Sequence, residues 1–165
     1  MILKGIAYCY GDDISTDAII PGPYLQCEKP EELASYAMKG CDPGFPQKSK
    51  GCILVVGKNF GCGSSREQAA LCLKYAGVQA IIGVSFARIF YRNAINQGIP
   101  LLECPDILDH VHDGDIIEVH VQTGLIVNSS TKRETTASAL PPFLFDIVQA
   151  GGAVPWFIKK NTLVD

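Results

Sequence analysis

The feature that most constrains the fold is an apolar run that ends in a glycine-rich turn. Residues 52–56 read C-I-L-V-V, a continuous apolar stretch typical of a strand buried on both faces of a sheet. The turn that follows, G-K-N-F-G-C-G-S-S-R, leads into a helical pattern over residues 65–76 that Gly77 ends. Strand, turn and helix form half of a βαβ unit, so the sequence predicts an α/β fold around a parallel sheet.

Further segments extend this pattern. Residues 79–83 and 99–102 are predicted as buried strands, with a helix over residues 86–97 between them. Apolar and polar residues alternate over residues 116–121, which predicts an additional antiparallel sheet beside the parallel one. The other predicted elements are a strand over residues 2–8, a loop over 11–23, a helix from Pro30 to Gly40, a loop over 41–50, a strand over 125–127, a helix over 142–150 and an irregular tail around Trp156.

The composition is that of a compact globular protein, and we expect a single domain over residues 1–165. Hydrophobic residues make up 47% and charged residues 19% of the chain, unlike disordered sequences. A net charge of −3 leaves no basic face for a nucleic-acid backbone. No apolar run reaches the roughly 20 residues that cross a bilayer, and no signal peptide is recognisable, so we expect a cytoplasmic protein that binds neither nucleic acid nor membrane.

The seven cysteines predict neither a disulfide framework nor a metal site in this chain. Their number is odd and they are scattered among apolar neighbours, which is typical of reduced thiols that pack as small hydrophobes. None forms a C-x-x-C pair, and the three histidines lie far in sequence from most of the cysteines. Any metal is therefore expected to come from elsewhere.

The glycine-rich turn is the first candidate for a binding site. Three glycines within residues 57–63 allow positive φ values and a close approach of the backbone to a ligand. The turn brings Ser64, Ser65 and Arg66 to the predicted helix start, where unpaired N–H groups favour an anion. An arginine fork can hold a carboxylate through two parallel hydrogen bonds. The spacing therefore favours anion binding at this turn.

Helix capping is the alternative interpretation of the same residues. A serine followed three residues later by Glu67 or Gln68 fits a capping box. Capping accounts for the serines but not for the glycines and the arginine, so both interpretations stay open. A nucleotide phosphate loop is disfavoured, because the G-K-[S/T] order is missing.

A second polar stretch, residues 11–21, carries Asp12, Asp13 and Asp17 together with two hydroxyl side chains. Crowded carboxylates raise one another's pKa, because like charges disfavour double ionisation. The spacing itself favours an Asx-turn network that organises the loop. A role as acid or base beside an anion-binding helix start stays open for one of these residues.

Four ordered motifs resemble the swivelling domain of the aconitase superfamily. They cover most of the chain and read G-D-D-I-S-T-D, P-Y-L, G-K-N-F-G-C-G-S-S-R-E-Q-A and F-A-R-I-F-Y-R-N-A-I-N-Q-G. A separate chain of this size is similar to the small subunits of the two-subunit hydro-lyases in this superfamily. The resemblance implies a large partner subunit that holds a [4Fe-4S] cluster through three cysteines, with no cofactor in this chain.

The resemblance also implies roles for individual residues. Ser64 matches the serine that, as an alkoxide, removes a proton from carbon, and Asp17 matches an aspartate that orients active-site groups. Ser65 and Arg66 match substrate-binding positions, with Arg66 on a carboxylate of a small dicarboxylic acid.

Two further pairs of residues are interpreted with the same motifs. Lys58 and Asn59 are expected to line the glycine-rich turn. Arg88 and Arg92, on the predicted helix of the last motif, are interpreted as structural rather than catalytic.

The segment after Pro23 bears on the choice of substrate. Relatives that act on acids with an extra carboxylate tend to place an arginine after the Tyr-Leu pair, whereas here Gln26 follows Tyr24 and Leu25. An uncharged side chain cannot neutralise a third carboxylate, and a buried charge left unpaired is costly. The resemblance thus implies isomerisation of 2-isopropylmalate to 3-isopropylmalate, by dehydration and rehydration in leucine biosynthesis. It also implies that Tyr24, Leu25 and Gln26 contact the substrate.

Other interpretations stay open. Because Gln26 is still polar, homoaconitate and dimethylmalate or methylmalate-type acids are alternative substrates. The non-enzymatic alternative is an anion-binding regulatory module. Another alternative is an enzyme that uses Cys62 as its nucleophile, although the place of Cys62 within the matched motif favours packing. A homo-oligomer of the isolated chain is also left open.

Overall fold

The computed structural model describes residues 1–162. Its strands are β1 (Ile2–Tyr10), β2 (Ile53–Val56), β3 (Ala80–Gly83), β4 (Leu101–Glu103), β5 (Ile116–His120), β6 (Leu125–Asn128) and β7 (Arg133–Thr136). Its α-helices are α1 (Thr16–Ile19), α2 (Pro30–Ala34), α3 (Phe45–Lys48), α4 (Glu67–Tyr75), α5 (Arg88–Asn96), α6 (Ile107–His110), α7 (Pro142–Gln149) and α8 (Ala153–Thr162). Within residues 1–162 none of these helices combines the length and apolar character required to cross a membrane.

One strand joins the parallel and antiparallel parts of the sheet. The sheet order is β4-β3-β2-β1-β5-β6-β7. Residues 7–10 of β1 run parallel to β2, whereas residues 2–6 run antiparallel to β5. The predicted α/β class, a parallel sheet with helices and an additional antiparallel sheet, is confirmed. The antiparallel strands continue the parallel sheet through β1.

The core lies on both faces of the sheet. All four residues of β2 are fully buried. Ile53 and Val55 point into one apolar cluster with α7, and Leu54 and Val56 into the other with α4. Successive side chains of a strand point to opposite faces, so a strand buried on both faces is apolar throughout.

The long helices form where the sequence predicts them. The bounds of α4, α5 and α7 differ by at most two residues from the predicted ranges 65–76, 86–97 and 142–150. Gly77 and Gly98 end α4 and α5 in the left-handed region, with φ of 88° and 84°. Glycine adopts this conformation at no steric cost, so it terminates helices readily.

Three segments predicted as loop or irregular chain contain helix. Within residues 11–23, α1 forms because the Ser15 hydroxyl accepts a hydrogen bond from the Ala18 N–H at 3.2 Å. Residues 41–50 contain the short helix α3. The tail around Trp156 is helix α8, whose proline lies in the first turn, where its missing N–H breaks no helical hydrogen bond.

The helix predicted from Pro30 onward is wrong in its second half, and one strand escaped prediction. Helix α2 stops early: the Ser35 hydroxyl donates to the Glu32 carbonyl at 2.6 Å, and Met38 has a φ of 58°. Such local side-chain bonds compete with helix continuation. Strand β7 lies at the sheet edge with mostly exposed polar residues, so it carries no apolar alternation to predict it.

The buried side-chain amide of Asn128 links strand β6 to the chain that precedes β5. Asn128 is 1% exposed, and its side-chain nitrogen donates to the His110 carbonyl at 2.9 Å and to the Asp115 carboxylate at 2.7 Å. The His112 N–H donates to the same carboxylate at 2.9 Å. This backbone hydrogen bond is the largest effect on Asp115, and with the Asn128 bond it lowers the pKa of the carboxyl.

The lowered pKa predicts how stability responds to acid. The ionised Asp115 stabilises the fold above its unfolded-state pKa of about 3.9, and this contribution is lost as pH falls through the folded-state pKa. Urea unfolding at about pH 7 and about pH 3 should show a smaller loss of unfolding free energy for Asp115→Asn than for the unmodified protein. The exposed Asp109→Asn variant should behave like the unmodified protein, and equal losses in all three would contradict this assignment.

Candidate active site

The glycine-rich turn and the aspartate-rich loop lie side by side. Each follows one of the paired parallel strands β1 and β2, whose carboxyl ends meet where Tyr10 is opposite Val56. Loops at the carboxyl ends of parallel strands are the usual place for binding sites. Three backbone hydrogen bonds of 2.8 Å connect the two: Asp13 N–H to the Lys58 carbonyl, Gly61 N–H to the Ile14 carbonyl and Thr16 N–H to the Cys62 carbonyl.

Asp12 and Asp13 each accept a hydrogen bond from the neighbouring glycine-rich turn. An oxygen of Asp12 accepts a hydrogen bond from the Lys58 N–H at 2.7 Å. An oxygen of Asp13 accepts one from the Asn59 side-chain nitrogen at 2.8 Å. Their structural role agrees with the organising network that the sequence favours, although the hydrogen bonds cross to the neighbouring turn.

Two glycines shape the turn in different ways. Gly61 has a φ of 80°, and a Cβ added there would lie 2.2 Å from Cγ of Phe90, so helix α5 packs directly on the backbone. Gly63 has a φ of 91°, and a Cβ added there would make only ordinary contacts, at 3.7 Å from the Thr16 hydroxyl and 3.9 Å from Cβ of Ser15. Gly61 thus serves close packing against α5, whereas Gly63 supplies a backbone conformation that other residues rarely adopt.

Ser64 is exposed at the end of this turn, in a cleft of about 670 Å³ between the turn and α5. Its carbonyl accepts a hydrogen bond from the buried Thr16 hydroxyl at 3.0 Å, which anchors the residue to α1. No partner for its own hydroxyl lies among residues 1–162. The cleft is lined from the turn side by Asn59, Ser64 and Arg66, and from α5 by Ile89, Arg92 and Asn93, among others.

Arg66 is held in place by the aspartate-rich loop. Its Nη1 atom donates to the Asp17 carboxylate and to the Ile20 carbonyl, the latter at 3.3 Å. The arginine side chain is 16% exposed and that of Asp17 is 60% exposed. Both hydrogen bonds use one nitrogen, so the guanidinium is oriented while its other N–H groups can still meet a carboxylate.

The capping interpretation of the serines is wrong. Arg66 is the N-cap residue of α4, with an extended backbone and no side-chain capping bond. Ser64 and Ser65 therefore precede the helix and do not lie in its first turn. Because they are not needed for capping, both exposed hydroxyls are available to a ligand.

Other predicted residues lie outside this cleft. Ser65 and Lys58 are exposed but do not line it. Tyr24 and Gln26 line a separate depression of about 410 Å³. Leu25 packs against the core, so the structure does not bring the Tyr-Leu-Gln segment into contact with Ser64 in the isolated chain.

The Tyr-Leu-Gln segment is nonetheless fixed to the same helix start. The Leu25 carbonyl accepts a hydrogen bond at 3.4 Å from the side chain of Gln68, which lies in the first turn of α4. Tyr24 stacks on Tyr36 with ring centroids 4.0 Å apart, and the Lys39 ammonium lies 4.7 Å from the Tyr24 ring. These contacts hold the segment rigidly beside the turn.

Sequence reasoning missed the contribution of α5. Arg88 and Arg92, interpreted as structural, line the cleft and form no ion pair within the described part of the chain. Ile89 and Thr16 also line it. The available signal was the i, i+4 spacing of two arginines, which places both on one helical face.

The donor atoms of the described residues do not fit a metal. No group of three or more histidine, cysteine or acidic side chains within residues 1–162 is arranged to hold an ion. All seven cysteines are free, and burial raises the pKa of the Cys52 thiol to about 12 and that of Cys104 to about 11. A protonated thiol is a poor metal ligand. Cys62 is half-buried and does not line the cleft.

Comparisons with known proteins agree with this geometry. Residues 34–106 match the aconitase C-terminal domain. The chain is 52% identical to the isopropylmalate/citramalate isomerase small subunit of Methanocaldococcus jannaschii, over 96% of this chain and 95% of the relative. It is also 52% identical to 3-isopropylmalate dehydratase small subunit 1 of Methanopyrus kandleri, over 97% and 94%. The chain belongs to the 3-isopropylmalate dehydratase small-subunit family.

A solved structure in this family has the same fold. The crystal structure of 3-isopropylmalate dehydratase (leuD) from Methanocaldococcus jannaschii superimposes with a TM-score of 0.93. It is 46% identical, and the match covers 99% of this chain and 97% of that one. The glycine-rich turn and α5, which form the two walls of the cleft, both lie within the matched aconitase C-terminal domain.

The two glycines of the turn should respond differently to alanine. Gly61→Ala combines a left-handed backbone with overlap on Phe90 and should destabilise the protein by roughly 2–5 kcal/mol. Gly63→Ala meets only the backbone cost of about 1–2 kcal/mol. Urea unfolding of both variants measures the difference. Equal destabilisation would show that α5 does not pack on Gly61.

Proposed function

We propose that this chain is the small subunit of a 3-isopropylmalate dehydratase. The enzyme would convert 2-isopropylmalate to 3-isopropylmalate by dehydration and rehydration in leucine biosynthesis. The observation that carries the proposal is the exposed Ser64 hydroxyl, free of protein partners among residues 1–162, in a cleft beside the oriented guanidinium of Arg66. The seven free cysteines support a cytoplasmic location, where thiols stay reduced.

Ser64 acts as the base in this proposal. Its hydroxyl, as an alkoxide, takes a proton from the substrate carbon that becomes part of the double bond, while the C–O bond of the neighbouring carbon breaks and the hydroxyl group leaves as hydroxide, which a Lewis acid of the partner would hold. Hydroxide then adds to the carbon that lost its proton, and the serine returns the proton to the carbon that lost the hydroxyl group, which regenerates the alkoxide. A positioned base of this kind contributes about 10² to 10⁴ in rate.

Arg66 and Asp17 position the substrate. A free edge of the Arg66 guanidinium binds one carboxylate, and its charge also stabilises the nearby alkoxide. Asp17 orients Arg66 through their ion pair and does not itself touch substrate. Asn59 lines the cleft and supplies a further hydrogen bond to the substrate, whereas Ser65 and Lys58 are exposed outside the cleft lining.

The metal chemistry belongs to a partner in this proposal. Burial raises the pKa of the Cys52 and Cys104 thiols, and residues 1–162 contain no group of three metal-ligating side chains, so in this proposal a large subunit holds a [4Fe-4S] cluster. When bound, such a cluster supplies a Lewis acid to the substrate hydroxyl and carboxylate. The small subunit supplies the base, so neither chain would be active alone.

Replacing Ser64 tests the proposed base. Ser64→Ala should lower turnover of 2-isopropylmalate by the reconstituted two-subunit enzyme by about 10² to 10⁴, because no other hydroxyl occupies the same position. Binding of the large subunit, measured by titration calorimetry, should not change. Ser129→Ala, an exposed serine outside the cleft, is the matched control. Full activity of Ser64→Ala would remove this residue from the mechanism.

We further propose that the substrate carries an uncharged substituent. Gln26 provides no cation for a third carboxylate, and the hydrogen bond between Leu25 and Gln68 keeps this segment next to the catalytic turn. The Methanocaldococcus jannaschii relative is named for isopropylmalate and citramalate, two acids that differ in an uncharged substituent. This name favours a methylmalate-type acid as the second candidate substrate.

An added arginine should change this preference. Gln26→Arg should shift the ratio of kcat/KM from 2-isopropylmalate towards the tricarboxylic substrate of homoaconitase by about tenfold or more, because the new cation pairs with the extra carboxylate. Steady-state kinetics of the reconstituted enzyme with isopropylmalate, citramalate and the tricarboxylic acid measure the ratio. Gln149→Arg, on the distant helix α7, should leave the ratio unchanged. An unaltered ratio in Gln26→Arg would remove this position from substrate selection.

A further inference from the structure

Two exposed arginines on α5 have no structural explanation. Arg88 and Arg92 are four residues apart, so their side chains project from the same helical face. Like charges at this spacing weaken a helix. Neither guanidinium forms an ion pair with a residue in the described range 1–162. The pair therefore does not serve the stability of the isolated chain.

The two arginines separate two depressions on one side of the molecule. One is the cleft that contains Ser64, and the other, of about 430 Å³, lies between α5, β4 and residues 138–141. Arg88 and Arg92 line both of them. Ile89, which is 52% exposed, lies on the cleft side. We call Arg88, Ile89 and Arg92 the α5 ridge.

The composition of the α5 ridge is typical of a protein interface. Ile89 is a large apolar side chain that is exposed to water beside two cations. Phe86 and Tyr91, both half-buried, lie beside the ridge with ring centroids 6.0 Å apart. Arginine and aromatic residues are enriched in interfaces, where they contribute most of the binding energy.

The size and charge of this surface indicate its occupant. A small dicarboxylic acid bound beside Ser64 would fill one depression and would not cover the second. The chain has a net charge of −3, yet the cleft lining contains three arginines and no carboxylate, and Glu103 is the one acid lining the second depression. A macromolecular surface that carries carboxylates around an apolar patch complements this arrangement.

We propose that the α5 ridge is a docking surface for the large subunit. Carboxylates of the large subunit pair with Arg88 and Arg92, and an apolar patch covers Ile89. The inference rests on the proposed function, because Ser64 lies in an open cleft that must be closed to exclude water from an alkoxide. Docking on the ridge closes the cleft along its α5 wall.

Charge reversal tests the docking surface. Arg88→Glu with Arg92→Glu should weaken binding of the purified large subunit by about tenfold or more at low ionic strength. Added salt should weaken binding of the unmodified protein more than that of the variant, since salt screens the pairs that the variant lacks. The control, Lys132→Glu with Arg133→Glu, changes the net charge equally at residues that line neither depression, and should bind within about twofold of the unmodified protein.

The variant is expected to fold. Acidic side chains are favoured in the first turn of a helix, where Arg88 lies, so its replacement by glutamate is compatible with α5. Circular dichroism and thermal unfolding of the isolated chain check this. The neutral variant Arg88→Gln with Arg92→Gln should bind with intermediate affinity, because it removes attraction without adding repulsion.

Two results would overturn the inference. One is unchanged affinity of the charge-reversed chain for the large subunit. The other is unchanged affinity with a raised KM for 2-isopropylmalate, which would make the arginines substrate contacts. Failure of the proposed function is distinguishable: in that case the unmodified chain neither binds the large subunit nor supports turnover, whereas failure of docking alone leaves the unmodified pair active.

Discussion

Parallel pairing of β1 with β2 is the interaction on which the site depends. It brings the carboxyl ends of two strands that are more than 40 residues apart in sequence to the same edge, with Tyr10 opposite Val56. The aspartate-rich loop and the glycine-rich turn then extend side by side, joined by backbone hydrogen bonds and by the carboxylates of Asp12 and Asp13. The contacts between this loop and this turn hold Ser64 in position.

The three aspartates of the loop make different kinds of contact. Asp12 and Asp13 are used in bonds to the turn, whereas Asp17 pairs with Arg66. An arginine without this partner would be free to sample many orientations, and the entropy lost on binding a carboxylate would be greater. The ion pair therefore gives the site an oriented cation next to a hydroxyl.

The exposed Ser64 hydroxyl in an open cleft agrees with a site that a second chain completes. The proposed alkoxide requires exclusion of water, and residues 1–162 neither cover the cleft nor group ligands for a metal. The relatives are named small subunits, which implies a large partner subunit that completes the enzyme. The exposed α5 ridge on the cleft wall has the charge and apolar character that such an arrangement needs.

The sequence by itself determined the α/β core, the glycine-rich turn and the family. These follow from local patterns: a strand buried on both faces is apolar throughout, and a left-handed turn favours glycine. Only the tertiary structure decided that Asp17 orients Arg66 and that α5 forms the second wall of the cleft. These contacts join residues 25 to 50 positions apart, and which side chains meet over such distances depends on strand pairing and helix packing that no local pattern encodes.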